Sequence, residues 1–226
     1  MILAETEHLY STYHDRRVTL HSQPETQQDR WVIETLGGRE NGVFVELGAY
    51  DGVYHSNTLC LERDFGWDGW LIEAVMQYAA RAQHVRRAKV VNVAVGPDER
   101  HRPFFVGGQW SGLREFTRPN LLNGHIDHHN PVVTVKTIPL QDLLRDLRVP
   151  PVVDYFSLDV EGAEYAILKA YFENDPPVNF RCMTIEIGAH ADHIHELCAL
   201  LEPLGYRLDN IRAWEAFFVH PELCCG

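Results

Sequence analysis

Residues 43–52 read Val-Phe-Val-Glu-Leu-Gly-Ala-Tyr-Asp-Gly, and this stretch organises the rest of the chain. Its first five residues are apolar and largely β-branched apart from Glu46, which is typical of a central parallel strand covered on both faces. Gly48 and Gly52 allow a tight turn and a close approach of the backbone to a ligand. The helix expected at 55–65 presents its N-terminus to the same place. The stretch therefore predicts a strand–turn–helix unit that holds a cofactor.

The glycine spacing of this turn indicates which cofactor it suits. A dinucleotide fingerprint has the spacing G-x-G-x-x-G, so that a pyrophosphate can bind at the helix N-terminus. The turn here has the spacing E-x-G-x-x-x-G. A carboxylate before the first glycine suits a positively charged group, such as the ammonium group of S-adenosylmethionine. The alternative is a glycine turn that serves strand packing only.

The length and composition of the chain limit its class. The 226 residues fit a single domain over 1–226, and the net charge of −12 disfavours a nucleic-acid partner, which would need Lys and Arg to neutralise phosphates. The five cysteines form no C-x-x-C pair and predict neither a zinc site nor a disulfide framework, so we expect a cytoplasmic protein. Residues 1–21 are polar and predict an N-terminal arm. No apolar run approaches the ~18 residues of a membrane span.

Strand and helix patterns alternate along the chain and predict a parallel sheet with right-handed crossovers. The last two strands are separated by a tight turn and are expected to pair antiparallel. The predicted strands are 43–47, 70–74, 89–95, 152–159, 183–188, 206–210 and 214–220. The predicted helices are 27–36, 55–65, 75–87, 139–147, 163–172 and 194–201.

Acidic residues stand at or just after the ends of several predicted strands. Glu73 lies about 25 residues after Gly48, close to where a Rossmann-type site places the acid that binds the ribose hydroxyls. Asp159 and Glu161 follow the fourth strand, and Glu186 lies near the end of the fifth. Asp159 and Glu161 are expected beside the first strand, where open α/β sheets bind their ligands, and Glu186 is expected at the same C-terminal edge of the sheet. The alternative for Glu73 is a solvated acid at a strand end.

Residues 98–137 are too long and too irregular for a simple crossover. Two extended segments at 103–106 and 131–135 flank turns, an exposed Trp110 and several histidines, so we interpret the insertion as an acceptor-binding lid. The histidines and Asp127 match no standard metal site, and a solvated polar loop is the favoured interpretation of them. The histidines are His125, His128 and His129.

Several motifs in combination resemble the FkbM family of S-adenosylmethionine-dependent methyltransferases, and the resemblance covers about residues 22–220. The motifs are Phe-Val-Glu-Leu-Gly-Ala-Tyr-Asp-Gly at 44–52 with Ser-Asn-Thr at 56–58, Trp-Asp-Gly-Trp-Leu-Ile-Glu at 67–73, Ser-Leu-Asp-Val-Glu-Gly-Ala-Glu at 157–164 and Phe-Phe-Val-His at 217–220. The resemblance implies the α/β fold of class I methyltransferases. That fold is a Rossmann-like, seven-stranded, mostly parallel sheet in the order 3-2-1-4-5-7-6, with helices on both faces. It also implies O-methylation of a hydroxyl on a sugar, a glycan or a secondary metabolite.

The resemblance also implies roles for individual residues. Glu46, Gly48 and Gly52 match the first cofactor motif, and Glu73 matches the ribose acid. Ser56 and Asn57 match a polar pair that could hold the cofactor's carboxylate. Asp159 and Glu161 match the motif beside the transferred methyl. The predicted cofactor site as a whole comprises Glu46, Gly48, Tyr50, Asp51, Gly52, Ser56, Asn57, Glu73 and Ala94.

Methyl transfer needs an acceptor oxygen held in line with the methyl group, and a general base then helps by about 10²–10⁴-fold. The candidate bases are Asp159, Glu161, Glu186 and His190. Alternatively, Asp159 and Glu186 could hold Mg²⁺, which would lower the pKa of the hydroxyl. Direct base catalysis is the favoured of the two.

Two further functions stay open from the sequence. An RNA ribose 2'-O-methyltransferase with a lysine–acid–lysine–acid tetrad is hard to build here, because the chain has only Lys89, Lys136 and Lys169. A non-catalytic S-adenosylmethionine-binding module would leave the acids after strands four and five as solvated edge residues.

Overall fold

The centre of the fold is a seven-stranded sheet, seen in a computed structural model that describes residues 10–13, 16–117, 130–188 and 192–224. The strands are β1 (Tyr10–Tyr13), β2 (Arg16–Thr19), β3 (Val43–Leu47), β4 (Asp68–Glu73), β5 (Lys89–Asn92), β6 (Ala94–Gly96), β7 (Arg100–Phe105), β8 (Gly112–Leu113), β9 (Val132–Pro139), β10 (Val152–Leu158), β11 (Asn179–Glu186), β12 (Arg207–Arg212) and β13 (Glu215–Val219). The helices are α1 (Gln28–Thr35), α2 (Leu59–Phe65), α3 (Met76–Val85), α4 (Leu140–Asp146), α5 (Glu164–Glu173), α6 (Asp192–Leu201) and α7 (Pro221–Cys224).

The strand order of the main sheet is β12-β13-β11-β10-β3-β4-β5. Its central strands pair parallel, and β13 pairs antiparallel with both β11 and β12. Numbered by their sequence order within this sheet, the strands run 3-2-1-4-5-7-6. The structure therefore confirms the class I methyltransferase topology and the antiparallel final pair.

The central strands are apolar on both faces because helices cover both sides of the sheet. Phe44 and Tyr155 face a core that includes Trp31 of α1, and the Trp31 ring packs edge-on against Phe217 with ring centroids 4.9 Å apart. The opposite face holds a second core with side chains from α4, α5 and α6, among them Ile167 of α5. This double covering explains why β3 and β10 carry long runs of fully buried residues.

The helix after β3 begins later than predicted, at Leu59 instead of residue 55. Side chains in the preceding turn bind backbone N–H groups that a helix would otherwise use. The carboxylate of Asp51 accepts the N–H of Tyr54 at 2.8 Å, and the hydroxyl of Ser56 accepts the N–H of Leu59 at 3.2 Å. His55 has a left-handed backbone with φ of 53°, which is incompatible with a helix at that residue.

The predicted third strand, 89–95, is divided in the structure. β5 stays in the main sheet, whereas β6 leaves it and pairs parallel with β9 in a four-stranded sheet of order β6-β9-β7-β8. The division falls after Asn92, whose side-chain amide donates to the carbonyl oxygens of Glu73 at 2.8 Å and Ala74 at 3.0 Å. The chain therefore turns away from β4 at this point.

The inserted segment 98–137 contributes most of this second sheet. β7 and β9 overlap the two extended segments that the sequence predicts, and they pair antiparallel. The buried Arg102 of β7 is held by Asp98 at 2.6 Å and also pairs with Glu115. His125, Asp127, His128 and His129 lie outside the described residues.

The N-terminal arm has more structure than the sequence indicates. β1 and β2 form an antiparallel hairpin, and Val18 of β2 is buried in the core beside α2. The N–H groups of His21 and Ser22 donate to the buried carboxylate of Asp29 at 2.6 and 3.2 Å, which attaches the segment to α1. Across the described ranges, no helix is long and apolar enough to span a lipid bilayer.

Candidate active site

The turn after β3 is pressed against the end of β10. Gly48 has a φ of 89°, and a Cβ built there would lie 1.7 Å from the carbonyl oxygen of Asp159. The N–H of Asp159 donates to the Leu47 carbonyl at 3.1 Å, and the N–H of Gly48 donates to the Ile72 carbonyl at 3.0 Å. Only glycine fits this contact, which brings Asp159 to the end of the first strand of the sheet.

Glu46 lies inside the turn and is 3% exposed. Its carboxylate accepts the Asn57 N–H at 3.0 Å and hydrogen bonds from the hydroxyl groups of Ser56 and Thr58. The Arg86 guanidinium lies 3.9 Å away, yet burial raises the pKa of Glu46 above its usual value. Glu46 thus fixes the chain as it enters α2. Its predicted contact with the cofactor's ammonium group stays a prediction.

Arg86 is a residue of this region that the sequence pattern does not reveal. Its side chain is fully buried and donates to the Gly52 carbonyl at 2.8 Å and the Ser56 hydroxyl at 3.0 Å, and it pairs with Glu62 at 3.2 Å. It therefore ties the turn to α2 and to the end of α3. An arginine just after a helix carries no signal for this role, because all its partners are distant in sequence.

Glu73 ends β4 at the position predicted for the ribose acid. Its two carboxylate oxygens accept the N–H groups of Tyr50 at 2.8 Å and Val75 at 2.7 Å, and burial raises its pKa to about 7. With Gly48, Tyr50 and Ala94 it lines a small cavity of about 50 Å³. The structure therefore brings these four predicted cofactor residues together.

The other predicted cofactor residues have different positions. Ser56 and Asn57 line a second, larger cavity of about 790 Å³, and the Asn57 amide donates to Ser157 at 2.9 Å. Asp51 and Gly52 line neither cavity: Asp51 caps the turn, and Gly52 packs against α3, where a Cβ would lie 3.0 Å from the Ala82 Cβ. The structure supports a turn-forming role for these two, and their cofactor contact stays a prediction.

The larger cavity is the main concave feature of the site. It lies against the end of β10, and it shares Gly48, Tyr50, Gln109 and Asp159 with the smaller cavity. Part of the insertion lines it, including Trp110. Its Phe, Tyr and Trp lining residues are Tyr50, Tyr54, Trp110, Phe116, Tyr165 and Trp214. The insertion's predicted role as an acceptor lid stays a prediction.

Carboxyl groups converge on one side of this cavity. Asp159, Glu164 and Glu186 each offer one oxygen atom, and these atoms all lie within 4.8 Å of one another. Burial raises the pKa of Asp159 to about 6, that of Glu164 to about 7, and that of Glu186 well above its usual range. Glu161 lines the same cavity, and burial and the Asp159 charge raise its pKa to about 9. No Lys or Arg of the described residues lines this cavity.

Three of the four predicted catalytic residues are therefore together, namely Asp159, Glu161 and Glu186. The fourth, His190, lies outside the described residues. Sequence reasoning missed Glu164, whose carboxylate accepts the N–H groups of Val160 at 2.8 Å and Gly162 at 3.0 Å. A glutamate at the first residue of a helix was the available signal, because its side chain can turn back to the preceding N–H groups.

Residues 46–208 match the methyltransferase FkbM domain, which is most of the chain. The chain belongs to the FkbM methyltransferase family. The match includes the turn after β3, Glu73 and the acidic cluster, and it confirms the family resemblance of the motifs. S-Adenosylmethionine is the methyl donor that this family implies.

Several solved methyltransferase structures are similar to this chain at low sequence identity. A methyltransferase FkbM from Methylobacillus flagellatus KT is 15% identical with a TM-score of 0.46, and the match covers 79% of this chain but only 43% of that one. A precorrin-6y C5,15-methyltransferase from Geobacter metallireducens GS-15 is 10% identical with a TM-score of 0.47, covering 88% and 90% of the two chains. The METTL16 MTase domain is 11% identical with a TM-score of 0.48, covering 85% and 65%. No curated protein matches the chain.

Proposed function

We propose that this FkbM-family domain transfers the methyl group of S-adenosylmethionine to a hydroxyl of a sugar, a glycan or a secondary metabolite. The observation that carries the proposal is the backbone contact between Gly48 and Asp159, which puts the half-buried carboxyl group of Asp159 beside the turn of the predicted cofactor site. The same carboxyl group faces a cavity of about 790 Å³, which is in the range of about 300–1,000 Å³ common for small-molecule sites.

The residues around the smaller cavity fit the predicted methyl donor. Each oxygen of Glu73 accepts one backbone N–H and keeps a lone pair for a ribose hydroxyl. Gly48 lets the turn lie directly against the Asp159 backbone, because a side chain there has no room. S-Adenosylmethionine supplies an electrophilic methyl group when it is bound. The chain's own task is then to hold the acceptor oxygen and to remove its proton.

Asp159 is the carboxyl group best suited to accept the proton of the acceptor hydroxyl. Burial raises the pKa of both Asp159 and Glu161, and the Asp159 charge raises the pKa of Glu161 further, so Asp159 is the more readily ionised of the two and the better proton acceptor. Asp159 also lines both cavities, so it lies between the predicted cofactor site and the space for an acceptor. A divalent cation held by Asp159 and Glu186 is the alternative way to activate the hydroxyl.

The lining of the larger cavity favours a small uncharged or cationic acceptor over RNA. The aromatic side chains offer flat apolar surfaces, and the carboxyl groups accept hydrogen bonds from hydroxyls. A polyanion would face Asp159, Glu161 and Glu186 with no Lys or Arg among the described lining residues. We therefore favour a small-molecule or glycan acceptor, and a cytoplasmic location stays a prediction from the cysteines.

The test is methyl transfer from labelled S-adenosylmethionine to a panel of sugars, glycans and secondary metabolites, with RNA oligonucleotides as a comparison. We expect acceptor-dependent S-adenosylhomocysteine formation with a member of the first group. Labelling of RNA alone would support the ribose methyltransferase alternative. Tight cofactor binding with no turnover on any acceptor would support the non-catalytic alternative.

A further inference from the structure

The acidic cluster lacks a positive partner. The nearest-lying oxygens of Asp159, Glu164 and Glu186 are all within 4.8 Å of one another, and no ion pair joins these three to a basic side chain of the described residues. Carboxylates this close repel one another strongly when all are ionised. They must therefore share protons or hold a cation.

A further carboxyl group lies beside this cluster without a partner. Glu161 is 9% exposed, lines the same cavity and makes no hydrogen bond or ion pair with the described residues. Its electrostatic neighbours are Asp159 and Glu164. A carboxyl group that is nine-tenths buried, lines the cavity and has no partner among the described residues points to a ligand that pairs with it there.

Glu215 adds a second unpaired oxygen on the same side of the sheet. It stands opposite Glu186 in the β11–β13 register, and its side chain is 1% exposed. One of its carboxylate oxygens is buried with no hydrogen-bond partner in the described part of the chain. Its carboxyl interacts electrostatically with Asp159, Glu161 and Glu164. The negative character of the site thus extends beyond the three closest groups.

We propose that Asp159, Glu164 and Glu186 bind one divalent cation that prefers oxygen ligands, such as Mg²⁺ or Mn²⁺, with Glu161 beside it. Oxygen ligands lie about 2.0–2.1 Å from Mg²⁺ and about 2.3–2.6 Å from Ca²⁺, so two ligands of one ion are at most about 4.2 Å apart for Mg²⁺ and about 5.2 Å apart for Ca²⁺. The three carboxyl oxygens, which lie within 4.8 Å of one another, are close enough for Ca²⁺ and would have to move closer together by a few tenths of an ångström to bind Mg²⁺. The binding of the cation does not depend on the proposed function. Only its role rests on that function, namely to lower the pKa of the acceptor hydroxyl.

The experiment measures Mn²⁺ binding by electron paramagnetic resonance on chelator-treated protein, with neither S-adenosylmethionine nor acceptor present. We expect saturable binding of one Mn²⁺ per chain that Mg²⁺ displaces. Glu186→Gln should weaken the affinity at least tenfold. The matched control is Glu173→Gln, because Glu173 is exposed at the far end of α5 and pairs with Lys169. The Mn²⁺ affinity of this variant should equal that of the wild-type protein.

Circular dichroism checks that the variants fold, and Glu164→Gln replaces Glu186→Gln if that variant does not. Absence of saturable Mn²⁺ binding to the wild-type protein, or equal affinity in the folded cluster variant, would overturn the cation site. The outcome is separable from the proposed function. Methyl transfer that persists in chelator without Mn²⁺ binding overturns only the cation site, and Mn²⁺ binding without any methyl transfer overturns only the methyltransferase proposal.

Discussion

Gly48 and Asp159 are in such close backbone contact that a Cβ at Gly48 would lie 1.7 Å from the Asp159 carbonyl oxygen. The contact joins the turn after β3 to the end of β10, so the predicted cofactor site and the acidic cluster depend on one glycine. A side chain at this position must displace one of the two strand ends. The geometry of the site and the stability of the sheet are therefore linked at this residue.

Gly48→Ala is expected to destabilise the protein by about 3 kcal/mol or more, from steric overlap and a positive φ together. Gly37→Ala is the matched control, because Gly37 also has a positive φ but a Cβ there meets nothing within 4 Å. Its cost should be about 1 kcal/mol from backbone strain alone. Denaturant unfolding measures the stability of both variants. An equal loss of unfolding free energy in the two would show that the contact between Gly48 and Asp159 does not stabilise the protein.

Glu73→Ala is expected to weaken S-adenosylmethionine binding by about 1–3 kcal/mol, the cost typical of losing hydrogen bonds to a charged group. Isothermal titration calorimetry measures the affinity. Asp68→Ala is the control, because Asp68 is an exposed acid at the opposite end of the same strand, β4. Unchanged cofactor affinity in Glu73→Ala would remove this residue from the ribose-binding role.

Glu73 should also make stability depend on pH. Burial raises its pKa from 4.5 to about 7, so the folded protein keeps a proton that the unfolded chain releases. The contribution of protonated Glu73 to the free energy of unfolding is fully present below pH 4.5 and is lost as the pH rises through about 7. The loss is on the order of 3 kcal/mol. Urea unfolding at pH 5 and pH 8 should show a smaller difference for Glu73→Gln than for wild type, and an identical difference would contradict the assignment.

Trp110 of the insertion is expected to act on the acceptor and not on the cofactor, whereas other residues of the insertion, among them Gly108 and Ser111, line the smaller cavity of the predicted cofactor site. Trp110 lines the larger cavity but not the smaller one. Trp110→Ala should therefore raise the acceptor KM about tenfold or more while the cofactor affinity changes less than twofold. Val133→Ala is a control in the same insertion, at an exposed position of β9. Weakened cofactor binding with an unchanged acceptor KM would refute the lid interpretation.

Local patterns were sufficient to predict the sheet and much of the site. Runs of β-branched and apolar residues marked the strands, and acids at or near strand ends marked Glu73, Asp159 and Glu186, because the carboxyl ends of parallel strands meet at one edge. Contacts between distant segments were not predictable. The partners of Arg86 lie at least 24 residues earlier in the chain, in the turn after β3 and in α2, and Glu215 approaches the cluster only because β13 pairs with β11.

Contacts that the local sequence does not reveal also explain the elements that were predicted incorrectly. The 89–95 run is apolar apart from Lys89 and Asn92, and one Asn gives no local sign that its side chain binds the end of β4 and that the strand divides there. The late start of α2 depends on Asp51 and Ser56, whose side chains bind N–H groups of the turn. Polar side chains that compete for backbone hydrogen bonds determine such element boundaries, and the periodicity of apolar residues does not predict them.

The turnover of Asp159→Asn tests the central claim most directly. The substitution keeps the shape of the side chain and removes its charge, so we expect turnover to fall about 10²-fold or more while the fold and the cofactor affinity are nearly unchanged. Asp142→Asn, at an exposed position of α4, is the control. Wild-type turnover should also fall below about pH 6, since the pKa of Asp159 is about 6 and its carboxylate must be ionised either to accept a proton or to bind a cation. Near wild-type turnover in Asp159→Asn would contradict both roles and exclude Asp159 from the reaction.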